Sequence, residues 1–529
     1  MIQTVSRESS LLEVRQRSLA IWYCRLSALI FIGAIPFAYI HAPLAAPRNW
    51  QYLLTAVFIL LAFRYKFDLH NRDSFVLPKR EFIFLLSCSF IAITCADLLR
   101  FFAFRVNAYD FSIFDQMLYF TRHGQFMYST VRDCNHFAFY PNYWLILLVP
   151  LHAVFASPLF LVVLHGLVAF SGVFPLLKLA RVYLKNDFLI ALVIISYLTN
   201  AWMGRILRYS FHPEVFYIPL GLYFLYGWKK GKTWLWASAL LGFLLVKTTA
   251  PFYMMGFVVA EFIFVKRKRI PALVVLFASL AFLVLNLAVV QPYFGHSVDR
   301  YNVIAEFWGK YGRSVPEAII GMMKQPWLVI KDILTSRWYI FFGAFLFIPF
   351  LSRSNLFALL PGILILGTSS SIYMRHYYLY YSAPLIAFIY AGLLEGWRIL
   401  KNRKLGTTIL LAALLLSQLL GGGYLRFKRP DVNKLRILSQ IKTDFRDHRH
   451  RVYAQSSLLP HLPYKWEAWP LEPHCFQKKN ALIITNSRLN AFPFSHKEIR
   501  RFSRVHADKI YKEYADGFMV YLTKSNNLP

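Results

Sequence analysis

The sequence predicts an all-α polytopic membrane bundle of about 13 transmembrane helices, followed by a small C-terminal extracytoplasmic α/β domain. The 529 residues are 57% hydrophobic and 16% charged, with a mean hydropathy of +0.44. A soluble protein typically carries about 25% charged residues. Apolar runs follow one another along most of the chain, and after the three glycines at 421–423 short strand-like and helix-like stretches alternate. These features favour a membrane bundle that ends in a domain outside the bilayer.

The apolar runs define the candidate spans. About 20 apolar residues cross the hydrocarbon core of a bilayer as a helix. The shortest runs leave the count open by one helical hairpin. The candidate spans are residues 19–40, 50–64, 81–103, 158–178, 188–203, 213–228, 233–248, 251–265, 270–290, 338–351, 355–370, 379–398 and 406–422.

Charge divides the links between these runs into two sets. One set is compact, basic and nearly free of acids, which is typical of cytoplasmic loops. It comprises residues 1–18, 65–80, 179–187, 229–232, 266–269 and 399–405. Alternation then places the N-terminus in the cytoplasm and the other links outside, namely residues 105–157, 204–212, 291–337, 371–378 and 423–529. The net charge of +33 is therefore explained by topology, and we expect no nucleic-acid partner.

Three regions follow from this topology. Residues 1–80 hold the cytoplasmic N-terminal segment and a transmembrane hairpin, residues 81–422 form the main transmembrane domain, and residues 423–529 form the α/β domain. We expect interfacial helices in residues 143–155, which are apolar but too short to cross, and in the amphipathic part of 291–337. The N-terminus lacks a cleavage site, which indicates an anchor helix rather than a removed signal peptide.

The tail shows short elements of both kinds. The runs RVYAQ, ALIIT and FMVYL suit strands, whereas VNKLRILSQIKTDF and SHKEIRRF suit helices. The five cysteines show no metal-ligand spacing. Cys134 and Cys475 are both predicted outside, which leaves a disulfide between them open.

The first outer segment, residues 105–142, is rich in ionisable side chains beside the membrane, and it carries Asp110 and Asp115. A carboxylate next to hydrocarbon is costly unless it is hydrated, paired or bound to a metal, so the pair marks a candidate site. One carboxylate can take a proton from a hydroxyl, and two can hold a hard cation such as Mg²⁺ or Mn²⁺. The alternative is that Asp110 caps a helix that begins at Phe111, with Ser112 assisting.

Two further outer segments contain histidine. His136 and Tyr140 would face the same site if their segment is helical, although interfacial aromatic residues would show the same pattern. His212 and Glu214 flank Pro213 in a tight outer link. There the alternative is a turn held by side-chain hydrogen bonds.

Basic side chains at the outer ends of spans could bind a phosphate. Lys247 can snorkel to the lipid headgroups or bind a phosphate as a compact charge. Arg375 can grip phosphate oxygens in a forked geometry, and His376 follows it, although the surrounding tyrosines also fit an interfacial belt. Arg208 lies in the same outer link as His212.

Several motifs are missing from the sequence. It contains no GxxxxGK[ST], no GxGxxG that opens a helix, no HExxH and no paired CxxC, so nucleotide hydrolysis and Rossmann chemistry are not supported. Few carboxylates lie within the predicted spans, chiefly Asp97 and Glu261. Proton-coupled transport therefore ranks below enzyme chemistry.

Four stretches of the sequence resemble a bacterial membrane-protein family catalogued as domain of unknown function 2079. They are NAYDFSIFDQMLYFTRHGQFMYST, NHF with the following PNYWLILLVPLHAVFASPLFLVVLHGL, SFHPEVFYIPL, and AQSSLLPHLPYKWEAWPL. The resemblance runs from about residue 90 to about residue 490. This family is similar to the GT-C class of membrane glycosyltransferases. The resemblance therefore implies a GT-C-like bundle whose first large outer loop carries the catalytic acid, and a donor sugar on a polyprenyl phosphate.

The resemblance also assigns positions. The acidic position carries over as Asp110, with Asp115 second, and FHPE carries over as His212 and Glu214. Two departures stand out: the first two spans resemble an added N-terminal hairpin, and residues 247–249 read Lys-Thr-Thr where the resemblance leads us to expect a Lys-Glu-Asp-like run. The second departure argues against a metal or acid role at those positions.

Together these features predict an integral glycosyltransferase of the bacterial inner membrane. It would move a sugar from a polyprenyl-phosphate-linked donor to an extracytoplasmic glycan, lipid or protein, with membrane lipids as its other partners. Asp110 would act as general base or metal ligand and Asp115 would support it. Cations suit a phosphate leaving group, and the predicted substrate-binding residues are His136, Arg208, His212, Glu214, Lys247, Arg375 and His376. The alternatives are a transporter or flippase of a lipid-linked substrate and a non-catalytic envelope-assembly protein.

Overall fold

The computed structural model describes residues 2–36, 47–64, 77–106, 108–295, 303–400, 405–420 and 427–523. This part of the chain is mostly helical, with a five-stranded sheet near the C-terminus. The α-helices are α1 (Ile2–Gly33), α2 (Pro47–Arg64), α3 (Lys79–Phe102), α4 (Ile113–Arg122), α5 (Tyr143–Val154), α6 (Pro158–Ser171), α7 (Val173–Tyr183), α8 (Asp187–Thr199), α9 (Ala201–Arg208), α10 (Tyr217–Lys230), α11 (Thr233–Leu244), α12 (Ala250–Phe264), α13 (Arg269–Leu285), α14 (Gln291–Gly295), α15 (Val303–Trp308), α16 (Val315–Lys324), α17 (Pro326–Thr335), α18 (Trp338–Gly343), α19 (Arg353–Gly367), α20 (Ile372–Arg375), α21 (Ala383–Leu400), α22 (Gly406–Leu419), α23 (Val432–Asp444) and α24 (His496–Val505). The strands are β1 (Tyr128–Ser129), β2 (Cys134–Asn135), β3 (Arg451–Ala454), β4 (Trp469–Pro470), β5 (Ala481–Asn486), β6 (Ile510–Glu513) and β7 (Phe518–Leu522).

Helices form at the predicted apolar runs, but thirteen spans are not confirmed. Within the described residues, four helical segments are long and apolar enough to cross a membrane, namely Lys79–Phe102, Pro158–Tyr183, Lys266–Gly295 and Ile372–Leu400. The bent pair of α8 and α9 would make a fifth. Seven further apolar helices have only 10–17 residues, fewer than the ~20 that a straight crossing needs.

The predicted span 188–203 is broken at Asn200. The axes of α8 and α9 differ by 42° there. The Asn200 side chain accepts hydrogen bonds from the backbone N–H groups of Trp202 and Met203, at 3.0 and 2.9 Å, and so caps α9. As a consequence Arg208, which was predicted in a connecting turn, is the last residue of α9.

Two other predicted helices are also interrupted. In the predicted span 338–351, α18 ends at Gly343. The left-handed backbones of Leu346 and Phe347, with φ of 50° and 55°, do not allow an α-helix to continue to residue 351. In the outer stretch 291–337, the expected single amphipathic helix is two helices, α16 and α17. Pro326 disfavours helical backbone at the preceding residue and suits the first turn of α17.

Some sequence-based predictions fall outside the described residues. These are residues 65–76 and 401–404 in two basic links, residues 37–40 at the end of the first predicted span, residues 296–302 in the long outer loop, and the tail glycines at 421–423.

The tail folds as the predicted mixture of strands and helices. Its sheet has the order β4-β3-β5-β7-β6, in which β3 pairs in parallel with β4 and β5, and β7 pairs antiparallel with β5 and β6. A capping box between Ser495 and Glu498 starts α24. Cys134 and Cys475 are buried free thiols, so the disulfide that the sequence left open is not formed in the described part of the chain.

The tail packs directly on the first outer segment. The backbone N–H of Asp431 donates to the carbonyl of Phe102 at 3.1 Å. The ring of His461 lies against Phe101 and Phe104, with centroid distances of 4.3 and 4.4 Å. One hydrophobic core therefore runs from the helical bundle into the tail and holds the two together.

Candidate active site

Asp110 lies on a single π-helical turn, Ala108–Ser112, which leads into α4. Such turns are frequent at functional sites. The tail fixes the start of this turn, since the Ala108 N–H donates to the Ser456 carbonyl at 3.1 Å. The structure does not support the cap interpretation, because Asp110 lies inside the turn and not at its start, and Ser112 makes no side-chain cap of α4. The Asp110 Oδ2 instead accepts a hydrogen bond from the Tyr209 hydroxyl. The half-buried carboxylate thus meets the end of α9, 99 residues along the chain.

A buried ion pair lies close to this carboxylate. Lys247 Nζ donates to Glu214 Oε1 at 2.6 Å, and Glu214 Oε2 contacts His212 Nδ1. The Lys247 side chain is only 14% exposed, so it does not snorkel to the headgroups. Lys247 is near enough to Asp110 that each charge favours the ionised form of the other.

His212 is fixed by aromatic packing. Its ring stacks on Tyr380, with centroids 3.4 Å apart and planes 10° apart. Phe114 places its edge against His212 and also against His136, with centroid distances of 5.0 and 5.6 Å. Burial and the charge of Lys247 lower the pKa of His212 well below its ordinary value, so this ring is neutral near pH 7.

His136 and Tyr140 lie beside the same cluster, but not on an α-helix: His136 begins a 3₁₀ turn that ends at Ala138, and Tyr140 follows that turn. His136 Nε2 lies 3.1 Å from Asn142 Oδ1, and Asn142 Nδ2 donates to the carbonyl of Val246 at 2.5 Å. Lys247 Nζ lies 4.3 Å from the centroid of the Tyr140 ring, a cation–π contact. The first outer segment and the α11–α12 turn are therefore linked around Lys247.

Burial sets the protonation of these groups. It raises the pKa of Asp110 above the ordinary value, while the Tyr209 hydrogen bond and the charges of Arg132 and Lys247 oppose that rise. Burial lowers the pKa of His136 to about 3, and Lys247 is paired as a cation with Glu214. Near pH 7 the cluster therefore combines a cationic lysine, a neutral histidine and a carboxylate that is more basic than an exposed aspartate.

Sequence reasoning missed Arg132 and Tyr209. Arg132 is exposed in the first outer segment, and its charge acts on Asp110, Tyr140 and Glu306. Its presence in the same ionisable stretch as Asp110 was a signal that could have identified it. Tyr209 follows Arg208 directly, but no sequence pattern indicates that its hydroxyl reaches Asp110.

Asp115 contacts a different set of groups, in the tail. Its Oδ1 accepts a hydrogen bond from the Tyr464 hydroxyl at 2.7 Å, and the Tyr464 ring stacks on Tyr119 at 4.7 Å. His152 Nε2 lies 3.2 Å from the same hydroxyl. Beside Asp115 is a cavity of about 20 Å³, the size of one water. Burial raises the pKa of Asp115 to about 7.

Three of the predicted basic residues lie elsewhere. Arg208 is exposed at the end of α9. Arg375 donates to the Thr335 hydroxyl and, at 3.3 Å, to the Asp332 carbonyl, so it contacts α17. The His376 ring lies 5.3 Å from that of Tyr378. Among the described residues, no hydrogen bond or ion pair joins Arg208, Arg375 or His376 to Asp110 or Lys247.

Within the described ranges, Asp110 and Asp115 do not belong to a cluster of metal-ligating side chains. In the part of the chain that the structure describes, no three His, Cys, Asp or Glu side chains gather as a metal ion would need. Asp110 and Asp115 bind different tyrosines, and Lys247 and His212 occupy the Glu214 carboxylate. Mg²⁺ or Mn²⁺ at Asp110 and Asp115 stays a prediction.

Residues 100–467 match a family described as predicted membrane protein (DUF2079). The match spans well over half of the sequence. The chain belongs to this family. The resemblance found in the sequence is thereby confirmed, and the matched range of DUF2079 includes Asp110, Lys247 and Tyr464.

Comparisons with curated proteins and with solved structures give less information than the family match. No curated protein matches the chain. Among solved structures it is similar to ArnT from Cupriavidus metallidurans in the apo state, with a TM-score of 0.47 and 12% identity. It is also similar to ArnT bound to undecaprenyl phosphate, with a TM-score of 0.44 and 10% identity. Both similarities cover 84% of this chain and 98% of the ArnT chain, and at this level they assign no function.

Proposed function

We propose that this DUF2079 protein is a membrane glycosyltransferase of the GT-C kind. It moves a sugar from a polyprenyl-phosphate-linked donor to an acceptor outside the cytoplasm. The observation that carries the proposal is a convergence of distant residues. Asp110, Tyr209 and Lys247 come from separate stretches, and they bring a half-buried carboxylate, its hydrogen-bond donor and a buried cation together.

The chemistry that suits this arrangement is a displacement at a sugar carbon. Asp110 accepts the proton of the acceptor hydroxyl, whose oxygen attacks the anomeric carbon as the bond to the phosphate oxygen breaks. Negative charge then grows on the leaving phosphate. Lys247 and Arg132 are the two cations whose charges lower the pKa of Asp110. In the reaction they stabilise the negative charge on the leaving phosphate.

The remaining residues position these groups. The Tyr209 hydrogen bond orients the Asp110 carboxylate and keeps its pKa from rising further. Glu214 holds Lys247 in place until a phosphate competes for it. Asp115 acts in support, since it holds the tail against α4 through Tyr464.

A lipid-linked donor fits the surroundings of the cluster. The backbone N–H of Tyr143, at the start of α5, donates to the Leu245 carbonyl at 3.1 Å, so α5 begins beside the Lys247 turn. The outward side chains of α5 are apolar, with Leu147, Leu151 and Val154 all about half exposed or more. A polyprenyl chain can therefore lie along α5 while its phosphate reaches Lys247.

The test is an assay with purified protein in liposomes. The liposomes carry a polyprenyl-phosphate sugar labelled in the sugar, and solubilised cell envelope supplies the acceptor. The proposal predicts that label leaves the lipid, becomes bound to the acceptor and releases polyprenyl phosphate in equal amount. Movement of intact lipid between leaflets without cleavage would show a flippase instead. If neither sugar transfer nor lipid movement is observed, the result would favour a non-catalytic assembly protein.

A further inference from the structure

A second cavity, of about 600 Å³, lies at the other end of the helical bundle. Helices α10, α12 and α21 begin near the Asp110 cluster and end at this cavity. They have 14, 15 and 18 residues, so the two sites are roughly 20–27 Å apart. The basic links at this end make it the cytoplasmic end by the positive-inside rule. The proposed sugar transfer uses none of the cavity's residues.

The cavity is amphiphilic. Its apolar wall includes Leu179, Leu225, Phe257 and Ala391. Its polar side carries four cations and two carboxylates, namely Lys229, Lys268, Arg353, Arg398, Glu261 and Glu395. A cavity with one apolar wall and one charged rim suits a ligand that has both an apolar chain and a charged headgroup.

Charge at the rim is unbalanced in favour of cations. Lys229 and Arg398 share one oxygen of Glu395, at 3.2 and 3.4 Å. Lys268 Nζ donates to the carbonyl of Trp228 at 2.7 Å and is 4.0 Å from Glu261, a loose ion pair. Arg353 is exposed and lies over the Phe264 ring, and it has no carboxylate partner among the described residues.

The two carboxylates are already occupied by neutral donors. Glu261 accepts from Trp228 Nε1 at 2.7 Å and from the Ser354 hydroxyl. Glu395 accepts from the Ser352 hydroxyl at 2.6 Å and from Asn355 Nδ2 at 3.3 Å. The protein therefore fixes both carboxylates, and the four cations against two carboxylates leave an excess of two positive charges among the side chains that line the cavity.

One buried acceptor also lacks a donor. Asn355 lines the cavity and is 3% exposed, and its Oδ1 has no hydrogen-bond partner in the described part of the chain. Its Nδ2 is engaged by Ser352 and Glu395, so the amide cannot be reversed without losing those bonds. A buried carbonyl of this kind is stabilised when a ligand hydroxyl or ammonium donates to it.

We propose that this cavity binds the headgroup of an anionic glycerophospholipid of the cytoplasmic leaflet. Its phosphodiester lies between Arg353 and Lys268, a headgroup hydroxyl donates to Asn355 Oδ1, and its acyl chains lie against the apolar wall. A phosphatidylglycerol headgroup has both the negative charge and the hydroxyl donors. Phosphatidylcholine has the phosphodiester but neither the net charge nor a donor.

The experiment measures lipid binding to the purified full-length protein. Delipidated protein in detergent is titrated with phosphatidylglycerol, phosphatidylcholine of the same chains, or inorganic phosphate, and native mass spectrometry counts the bound molecules. We expect phosphatidylglycerol to bind most tightly and inorganic phosphate to give no saturable site. Equal affinity for the two lipids would overturn the assignment of an anionic headgroup. Saturable binding of inorganic phosphate at the same strength would overturn the lipid assignment.

Variants locate the site. Arg353→Gln with Lys268→Gln should weaken phosphatidylglycerol binding by about five-fold for each cation removed. Lys230→Gln with Lys232→Gln removes the same charge from exposed positions at the same end of the bundle that do not line the cavity, and it should change binding little. An equal loss in the two double variants would place the lipid elsewhere. Arg353→Gln alone, which disturbs no ion pair, keeps the test valid should the double variant misfold.

Discussion

At the scale of single residues, the ionisation of Asp110 depends on opposing influences. Burial favours its neutral form, whereas the Tyr209 hydroxyl and two cations favour the carboxylate. A general base works only when ionised, so the balance between these influences fixes the pH at which activity begins. Removing one stabilising influence should therefore change the pH profile in a known direction.

Tyr209→Phe removes the hydrogen bond and leaves the ring. Because that bond lowers the pKa of Asp110, its loss should raise the pKa and move the acidic limb of the kcat/KM profile to higher pH. Sugar transfer measured between pH 5 and 9 gives the limb. Tyr109→Phe is the control, since the Tyr109 ring packs on Phe492 instead. A limb that stays in place in Tyr209→Phe would show that this tyrosine does not tune the base.

The Lys247–Glu214 pair should show strong energetic coupling. Loss of one partner from a buried pair leaves an uncompensated charge and typically costs about 3–5 kcal/mol. We expect Glu214→Gln and Lys247→Met each to lower the free energy of unfolding by that order. The double variant should lose much less than the sum. Unfolding in mixed micelles measures all four proteins of the cycle, and additive losses would contradict the pairing.

The sequence alone identified some residues of the candidate site and missed others. Asp110, Lys247 and Glu214 were identified because an ionisable group beside an apolar run is energetically costly unless it is paired or has a function. Tyr209 was missed because its partner is 99 residues away and nothing local reveals that contact. Arg375 was selected for its chemistry alone, and its contacts are with α17.

At the scale of elements, the contact between α4 and the tail stands out. The Asp115–Tyr464 hydrogen bond and the Tyr119–Tyr464 stack join them, and Gln116 Nε2 donates to the Ala468 carbonyl at 3.1 Å. Periodicity predicts each element but not their docking, because a strand or helix pattern is local. The break at Asn200 is similar: a single capping residue divides an otherwise continuous apolar run.

Asp115 should make stability depend on pH. Its pKa rises from 3.8 to about 7 on folding, so the folded protein binds more protons than the unfolded chain between those values. Stability should therefore fall as pH rises from about 4 to about 7, by up to about 4 kcal/mol. In Asp115→Asn that slope should flatten, as measured by unfolding at several pH values. Asp447→Asn, at an exposed position, should keep the wild-type slope, and an unchanged slope in Asp115→Asn would contradict the buried environment.

At the scale of the whole molecule, the two ends of the bundle differ in character. One end holds the half-buried carboxylate under the tail, and the other holds the cation-rich cavity. From the charge of the links, the sequence predicts that the two sides of the bundle differ, since basic links alternate with the other links along the chain. Which side faces the cytoplasm stays a prediction. The number of crossings could not be predicted, because short and broken helices packed inside a bundle have the same composition as full spans.

Cysteine labelling tests the orientation. Gln125→Cys is exposed in the first outer segment, and Lys232→Cys is exposed in a basic link. A membrane-impermeant maleimide should label Gln125→Cys in intact cells with the outer membrane permeabilised, and should label Lys232→Cys only after the inner membrane is opened. The reverse pattern would place Asp110 in the cytoplasm and exclude an extracytoplasmic acceptor.

The most direct test of the account compares Asp110→Asn with Asp133→Asn in the sugar-transfer assay. Both changes remove one carboxylate from the same outer segment, but Asp133 is exposed and accepts its hydrogen bond from Tyr128. If Asp110 is the base, Asp110→Asn should reduce the transfer rate by about 10²–10⁴-fold while Asp133→Asn stays near the wild-type rate. Transfer by folded Asp110→Asn at the wild-type rate would contradict the account.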